Sequence, residues 1–279
     1  MQTVSKNLLR GVLVDDWRNG GFGIYIHWPF CAAKCPYCDF NSHVAKTIDQ
    51  SSWKTAYLHE IDRYADLTAG RILNSVFFGG GTPSLMPPDT VHDILERINH
   101  HWPKANSFEC TLEANPTSVD AGRFAGYAAA GVNRISMGIQ SLRDDDLIAL
   151  GRMHTVAEAR QAFDIARNNF DRVSFDLIYA RQHQDPESWR KELKEALSMA
   201  VDHISAYQLT IEQGTAFGDR YNRGLLKGLP ADENAERMYD ITQDECAAAG
   251  MPRYEVSNHA APGQESIHNQ VYWKYGDYI

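Results

Sequence analysis

The chain has 279 residues, enough to bury a large core in one big α/β domain or two ordinary ones. Its 27 basic and 36 acidic residues leave a formal charge of −9, which argues against nucleic acid as a general partner because phosphates repel an acidic surface. No run approaches the roughly 18 consecutive apolar residues of a membrane span, and five cysteines in such a chain point to metal or catalysis in a cytoplasmic protein rather than to disulfides.

Residues 1–17 hold only a short apolar patch at 11–14, followed at once by Asp15 and Asp16, which does not read as a secretory leader. From about residue 23 to residue 211, β-rich runs alternate with helical patterns. Strands are expected at 23–28, 75–78, 108–112, 134–138, 172–178 and 203–209. They read as near-continuous apolar runs, as in parallel strands covered on both faces. Between them, residues 88–101 carry Val91, Ile94, Leu95 and Ile98 on one helical face. A helix over 118–130 is closed by Gly131, a good residue just past a helix end. Thr155 with Glu158 makes a capping box ahead of Ala159, Ala162, Phe163 and Ala166. Asp185 and Pro186 read as the cap and first residue of the next helix.

Six strand–helix units with right-handed crossovers predict an α/β fold, a partial (β/α)6 TIM-like barrel over residues 23–211 behind an N-terminal extension, 1–22. After residue 212 a loop containing Gly214, Gly218, Gly224 and Gly228 precedes a helix over 232–249. An irregular segment rich in Asn, His and aromatics follows, so 212–279 is expected to begin a distinct C-terminal region.

In α/β barrels ligands gather at the carboxyl ends of the strands. The first such end carries Cys31, Cys35 and Cys38 in a C-x3-C-x2-C loop. Thiolates at this spacing can wrap one iron–sulfur cluster, and three cysteines for four irons leave one iron open to chemistry. A Cys3His zinc site with His27 or His43 as fourth ligand is the competing reading, and three structural cysteines the bland one. Cys110 and Cys246 fit apolar positions and read as core.

The second end reads Phe78-Gly79-Gly80-Gly81-Thr82-Pro83. It is neither a P-loop nor a dinucleotide fingerprint, and by itself a Gly-rich turn is as readily structural as functional. Glu113, Gln140 and Asp176 fall toward the ends of the third, fourth and fifth strands, with Arg152 after the fourth. Each alone could cap a helix; all at one end of the sheet favour a ligand.

The run Cys31-x3-Cys35-x2-Cys38 with Tyr37 resembles the signature of the radical S-adenosylmethionine (SAM) superfamily. The resemblance implies a radical SAM-type partial barrel with a [4Fe–4S] cluster on Cys31, Cys35 and Cys38. In that family the open iron chelates SAM, and reduction cleaves SAM to methionine and a 5′-deoxyadenosyl radical. It further implies that Gly80, Gly81 and Thr82 receive SAM, with Tyr25, Tyr37, Glu113, Gln140, Arg152 and Asp176 as further SAM contacts.

Within the superfamily the stretch 23–42 resembles the HemW-type haem chaperones, relatives of the oxygen-independent coproporphyrinogen III dehydrogenase HemN. The likeness continues through 79–85, 113–116, 136–141, 150–154 and 176–179. Phe40 stands where the dehydrogenase has a fourth Cys, and His268-Asn269-Gln270-Val271-Tyr272-Trp273 matches the family's His-Asn-x-x-Tyr-Trp haem motif. The resemblance implies His268 as a haem ligand, haem as cargo, membrane respiratory haem proteins as acceptors, and a homodimer. It also implies a cytoplasmic protein that visits the inner membrane. The alternative is a dehydrogenase-like enzyme using SAM-derived radical chemistry on a porphyrinogen. The sequence departs from the family pattern at Ala180-Arg-Gln-His-Gln184, and family members continue for roughly a hundred residues beyond its end into a small domain, so the C-terminal extension is expected to be incomplete.

Overall fold

The computed structural model describes residues 17–200 and 202–279. The expected extension over 1–22 therefore lies outside the described residues up to residue 16. In chain order the first elements are α1 (Trp17–Gly20), β1 (Phe22–Trp28), β2 (Phe30–Cys31), β3 (His43–Val44), α2 (Gln50–Leu67), β4 (Leu73–Gly80), α3 (Pro88–His101), β5 (Lys104–Ala114) and α4 (Ala121–Ala130). There follow β6 (Arg134–Gln140), α5 (Asp144–Ala149), α6 (Val156–Asn169), β7 (Arg172–Tyr179), α7 (Pro186–Met199) and β8 (His203–Gln208). The last are α8 (Ala216–Asn222), α9 (Asp232–Ala248), β9 (Asn258–Ala260), α10 (Ile267–Trp273) and β10 (Asp277–Tyr278).

Strands β1, β4, β5, β6, β7 and β8 are parallel neighbours in that order, the six expected units. Two short strands extend the sheet: β10 parallel to β1 at one edge, and β9 antiparallel to β8 at the other. Among the described residues the sheet is open, with β10 and β9 as its two edges.

The two faces of this sheet have opposite chemistry. One carries Ile24, Ile26, Val76, Phe78, Cys110, Leu112, Ile135, Met137, Val173, Phe175, Leu177 and Ile204, all buried in the main core with apolar residues of α3, α4, α6 and α7. Register places Gly23, Tyr25 and His27 with Ser75, Phe77 and Gly79 on the other face, and with them Glu109, Thr111, Glu113, Arg134, Ser136, Ser174, Asp176 and Ser205. The strands therefore alternate, and reading them as apolar runs covered on both faces is corrected. Polar residues tolerate the inner face because they bond one another. Arg134 donates to Ser174 at 2.9 Å, and Arg172 pairs with Glu109 at 2.7 Å.

The helix expected over 118–130 begins only at Ala121. Asp120 caps it by accepting from the Arg123 N–H, and Pro116–Ser118 forms a separate 3-10 turn. Gly131 ends it in the left-handed region, at φ 108°. The caps at Thr155 and Asp185 form as read. Cys110 and Cys246 are fully buried core residues. Among the described residues no helix is long and apolar enough to cross a membrane.

Candidate functional site

The cysteine loop leaves β1 at Trp28 and is closed by the two-stranded pairing of β2 with β3. Lys34 ties its interior by donating from Nζ to the Ser42 carbonyl at 3.2 Å, and the Cys38 N–H turns back onto Cys35 O at 3.1 Å. Cys31, Cys35 and Cys38 line one cavity of about 300 Å³ at the carboxyl ends of the strands. The same cavity is walled by Tyr37, Gly80, Gly81, Thr82, Glu113, Gln140, Arg152 and Asp176. Tyr25 is not on that wall: it lies further down the inner face, with its ring stacked on Phe77 at 6.0 Å.

Glycine is required at the end of β4 because the side chains of β1 and the start of the cysteine loop pass it in contact. A Cβ on Gly79 would sit 2.7 Å from Tyr25 Oη, and one on Gly80, whose φ is +111°, 2.7 Å from the His27 ring. A Cβ on Gly81 would lie 2.6 Å from Phe30 O and 3.0 Å from Cys31 Sγ. The backbone then binds across the gap, Gly81 N–H to Trp28 O at 2.6 Å and Thr82 N–H to Phe30 O at 2.8 Å. The glycine run has a structural cause, and it leaves the cavity wall bare at the thiols.

Two carboxylates face this cavity from deep in the protein. Burial, with Asp176 as a charged neighbour, pushes Glu113 up to about 8 although Gly80 N–H donates to it at 3.3 Å. Burial likewise raises Asp176 to about 6 against the lowering effect of Ser205 and Arg134. Among the described residues neither acid forms an ion pair, although the charges of Arg134 and Arg152 reach Asp176. Arg152 donates from Nη1 to Cys35 Sγ at 3.2 Å and from Nη2 to Gly138 O at 2.8 Å, while its buried Nε has no protein partner. Burial also raises the Tyr37 phenol and the Cys38 thiol.

Three thiols on one rim suit an iron–sulfur cluster. Of the two histidines that a Cys3His zinc site could use, His27 has its Nε2 2.9 Å from Asn41 O. SAM carries an ammonium and a sulfonium for two acids that form no ion pair among the described residues, and a carboxylate for Arg152, whose Nε has no protein partner. The residues present fit both groups.

Sequence reasoning missed several wall residues: Lys34, Ser136, Gly138, Tyr207, Gln208 and Thr210. Alternation along β8 from His203 through Ser205 to Tyr207 was the signal for the tyrosine.

His268 lies elsewhere, on α10, against β1, β4 and β5. It is 1% exposed, and both ring nitrogens are engaged: Nδ1 with Ser75 Oγ and Nε2 with Tyr272 Oη, each at 2.8 Å. Burial lowers its pKa to about 4, so the ring is neutral. It packs 5.1 Å from the Phe77 ring and 6.2 Å from Tyr25. Tyr278 packs edge-on against Tyr272 at 4.7 Å, and Trp273, Tyr275 and Tyr278 are exposed.

Residues 25–196 match the Radical SAM superfamily, a span that contains the cysteine loop and most of the cavity wall. The chain belongs to the radical SAM superfamily. Membership implies a [4Fe–4S] cluster and SAM as its cofactors. Radical SAM proteins similar to this chain include radical S-adenosyl methionine domain-containing protein 1, mitochondrial, of Bos taurus, 40% identical over 92% of this chain and 58% of the relative. Heme chaperone HemW of Haemophilus influenzae is 39% identical, over 92% of this chain and 67% of the relative. The chain thus spans between somewhat over half and two thirds of these relatives. Among solved structures, coproporphyrinogen III oxidase (HemN) from Escherichia coli, a radical SAM enzyme, superposes with a TM-score of 0.79 at 22% identity, covering 94% of this chain and 60% of that one.

Proposed function

We propose that this radical SAM chain binds its [4Fe–4S] cluster through Cys31, Cys35 and Cys38, with SAM in the adjoining cavity, and serves as a haem chaperone. The observation that carries the cofactor site is that one cavity is lined by three thiols, two buried acids whose pKa values are raised, and Arg152. In this reading Glu113 and Asp176 receive the cationic end of SAM, Arg152 its carboxylate, and Gly80, Gly81, Thr82 and Gln140 its remaining polar edge. Tyr37 closes the wall beside Cys35, and Tyr25 supports the floor beneath Glu113. The cluster supplies the electron that SAM cleavage needs, and the protein supplies position and charge.

The haem reading rests on the similarity to HemW, together with Phe40, which stands 59% exposed where a fourth cysteine would be expected in a dehydrogenase. Ligation by His268 calls for a conformation in which Nε2 has left Tyr272, since a ring nitrogen cannot serve both. The exposed Trp273, Tyr275 and Tyr278 then offer apolar faces for a porphyrin. Delivery to respiratory haem proteins at the membrane, dimerisation and a cytoplasmic location follow from the same reading. An anaerobic haem titration of cluster-loaded protein beside His268→Ala tests it: saturable one-to-one binding that weakens in the variant is expected, and absence of binding contradicts it. A second reading, a SAM-dependent enzyme acting on a porphyrinogen, is favoured by the completeness of the SAM cavity. Formation of 5′-deoxyadenosine only when a porphyrinogen is present would select it.

A further inference from the structure

The segment in which this sequence leaves the family pattern, Ala180-Arg-Gln-His-Gln184, follows β7 directly. Ala180 and His183 take left-handed backbone conformations, uncommon for residues with side chains. Between them Arg181 turns inward and is only 3% exposed. Its Nη1 donates to Ile178 O, and its Nη2 donates to Asp146 Oδ2 at 2.7 Å and to Glu192 Oε2 at 2.5 Å.

Each carboxylate leads toward the cavity. Glu192, on α7 and 1% exposed, accepts from Ser141 Oγ at 2.8 Å and from the Leu142 N–H at 2.7 Å, immediately after Gln140. Asp146 lies in α5, and its carbonyl receives the Leu150 N–H at 2.8 Å. The Arg152 N–H is bonded to Leu147 O, also at 2.8 Å. The turn so formed presses on the cysteine loop. A Cβ on Gly151 would meet Pro36 Cδ at 2.6 Å, and Arg152 itself reaches Cys35. One buried guanidinium thereby joins the strand end that carries Gln140 to the turn that carries Arg152.

We infer that Arg181 is a positioning residue for the SAM cavity: through Asp146 and Glu192 it fixes Arg152 against Cys35 and Gln140 against the cavity wall. The inference rests on the proposed SAM site and adds a determinant that lies outside the cavity. Supporting groups of this kind hold their partners by geometry, so their loss is read in affinity and in spectroscopic signature rather than in stability alone.

The test measures SAM binding by calorimetry on cluster-reconstituted protein and the electron paramagnetic resonance spectrum of the reduced cluster with SAM. The variants are Asp146→Asn, Arg181→Lys and the double change Arg181→Met with Glu192→Gln. Removing Arg181 alone would strand a buried carboxylate and threaten folding. The double change removes both charges and leaves an amide oxygen at position 192 to accept from Ser141 and Leu142. Asp146 is partly exposed, which keeps Asp146→Asn foldable.

In the double variant and in Asp146→Asn, SAM affinity falls by about 10-fold, and the spectrum of the SAM complex changes. Arg181→Lys recovers part of the affinity. A lower melting temperature with unchanged SAM affinity and spectrum would show a purely structural role and overturn the inference. Failure of the unsubstituted protein to bind SAM would instead remove the proposed site, and this inference with it.

Discussion

Replacing Glu113 by Gln tests the electrostatics of the cavity without touching a thiol. In the protein without SAM the carboxyl is held at about 8, against an ordinary value of 4.5, by burial and by Asp176. Below pH 4.5 the group is protonated folded or unfolded and adds nothing to the pH dependence. Between 4.5 and about 8 the unfolded chain releases its proton while the folded protein keeps it, so stability falls as pH rises. Above about 8 the loss is complete. At about 1.4 kcal/mol per tenfold change in proton affinity the gap sets an upper limit of about 5 kcal/mol. Water in the cavity screens the charge, and roughly 2 to 3 kcal/mol is the expected loss.

Denaturant unfolding of the apoprotein, followed anaerobically between pH 5 and pH 8.5, reads this directly. The unsubstituted protein should lose stability across the window, and Glu113→Gln should flatten the curve above pH 6. The contribution of Asp176, between its ordinary 3.8 and about 6, should remain in both. Parallel curves for the two proteins would refute the assignment of a strained, neutral carboxyl at Glu113.

Cys31→Ala, Cys35→Ala or Cys38→Ala should abolish the brown absorbance of a reconstituted cluster, whereas Cys246→Ala should keep it and lower stability by about 1 to 2 kcal/mol; loss of the cluster in Cys246→Ala would contradict the division of the cysteines. Gly80→Ala should strain the junction of β1 with the cysteine loop, because its φ is +111° and a methyl group would meet the His27 ring at 2.7 Å and Trp28 O at 2.9 Å. Iron retention after desalting should drop, and wild-type retention would speak against the close contact. His268→Ala should cost about 2 to 4 kcal/mol through the lost ring and its two hydrogen bonds, measured by urea unfolding. A neutral result would mean that α10 is not anchored through this ring.

The parts of the fold legible in the sequence were those whose signal is local. The β4 turn, the capping box at Thr155, the N-cap at Asp185, and the glycine at 131 are each written within a few residues. The inner face was harder to read because Ser, Thr, Arg and Glu there are satisfied by partners far along the chain. The Arg172–Glu109 pair, for instance, is not visible in either strand alone. Helix α2 escaped because only Ile61 and Ala65 are buried along it, too weak a stripe to betray a period. Strands β9 and β10 are a few residues each and exist through pairing with β8 and β1 rather than through propensity.

The cavity was legible through the cysteine spacing and the polar residues at strand ends. Arg181 was not, because its importance lies in where Asp146 and Glu192 happen to stand. His268 was legible as a motif but not as a buried ring, since sequence carries no sign that both nitrogens are bonded.

The most direct test of the central claim is the electron paramagnetic resonance spectrum of the reduced, reconstituted protein before and after SAM is added. If Cys31, Cys35 and Cys38 hold a [4Fe–4S] cluster whose open iron faces the cavity, SAM should shift the g-values. Glu113→Gln should require more SAM for the same shift. A cluster spectrum indifferent to saturating SAM, or no cluster spectrum at all, would contradict the account.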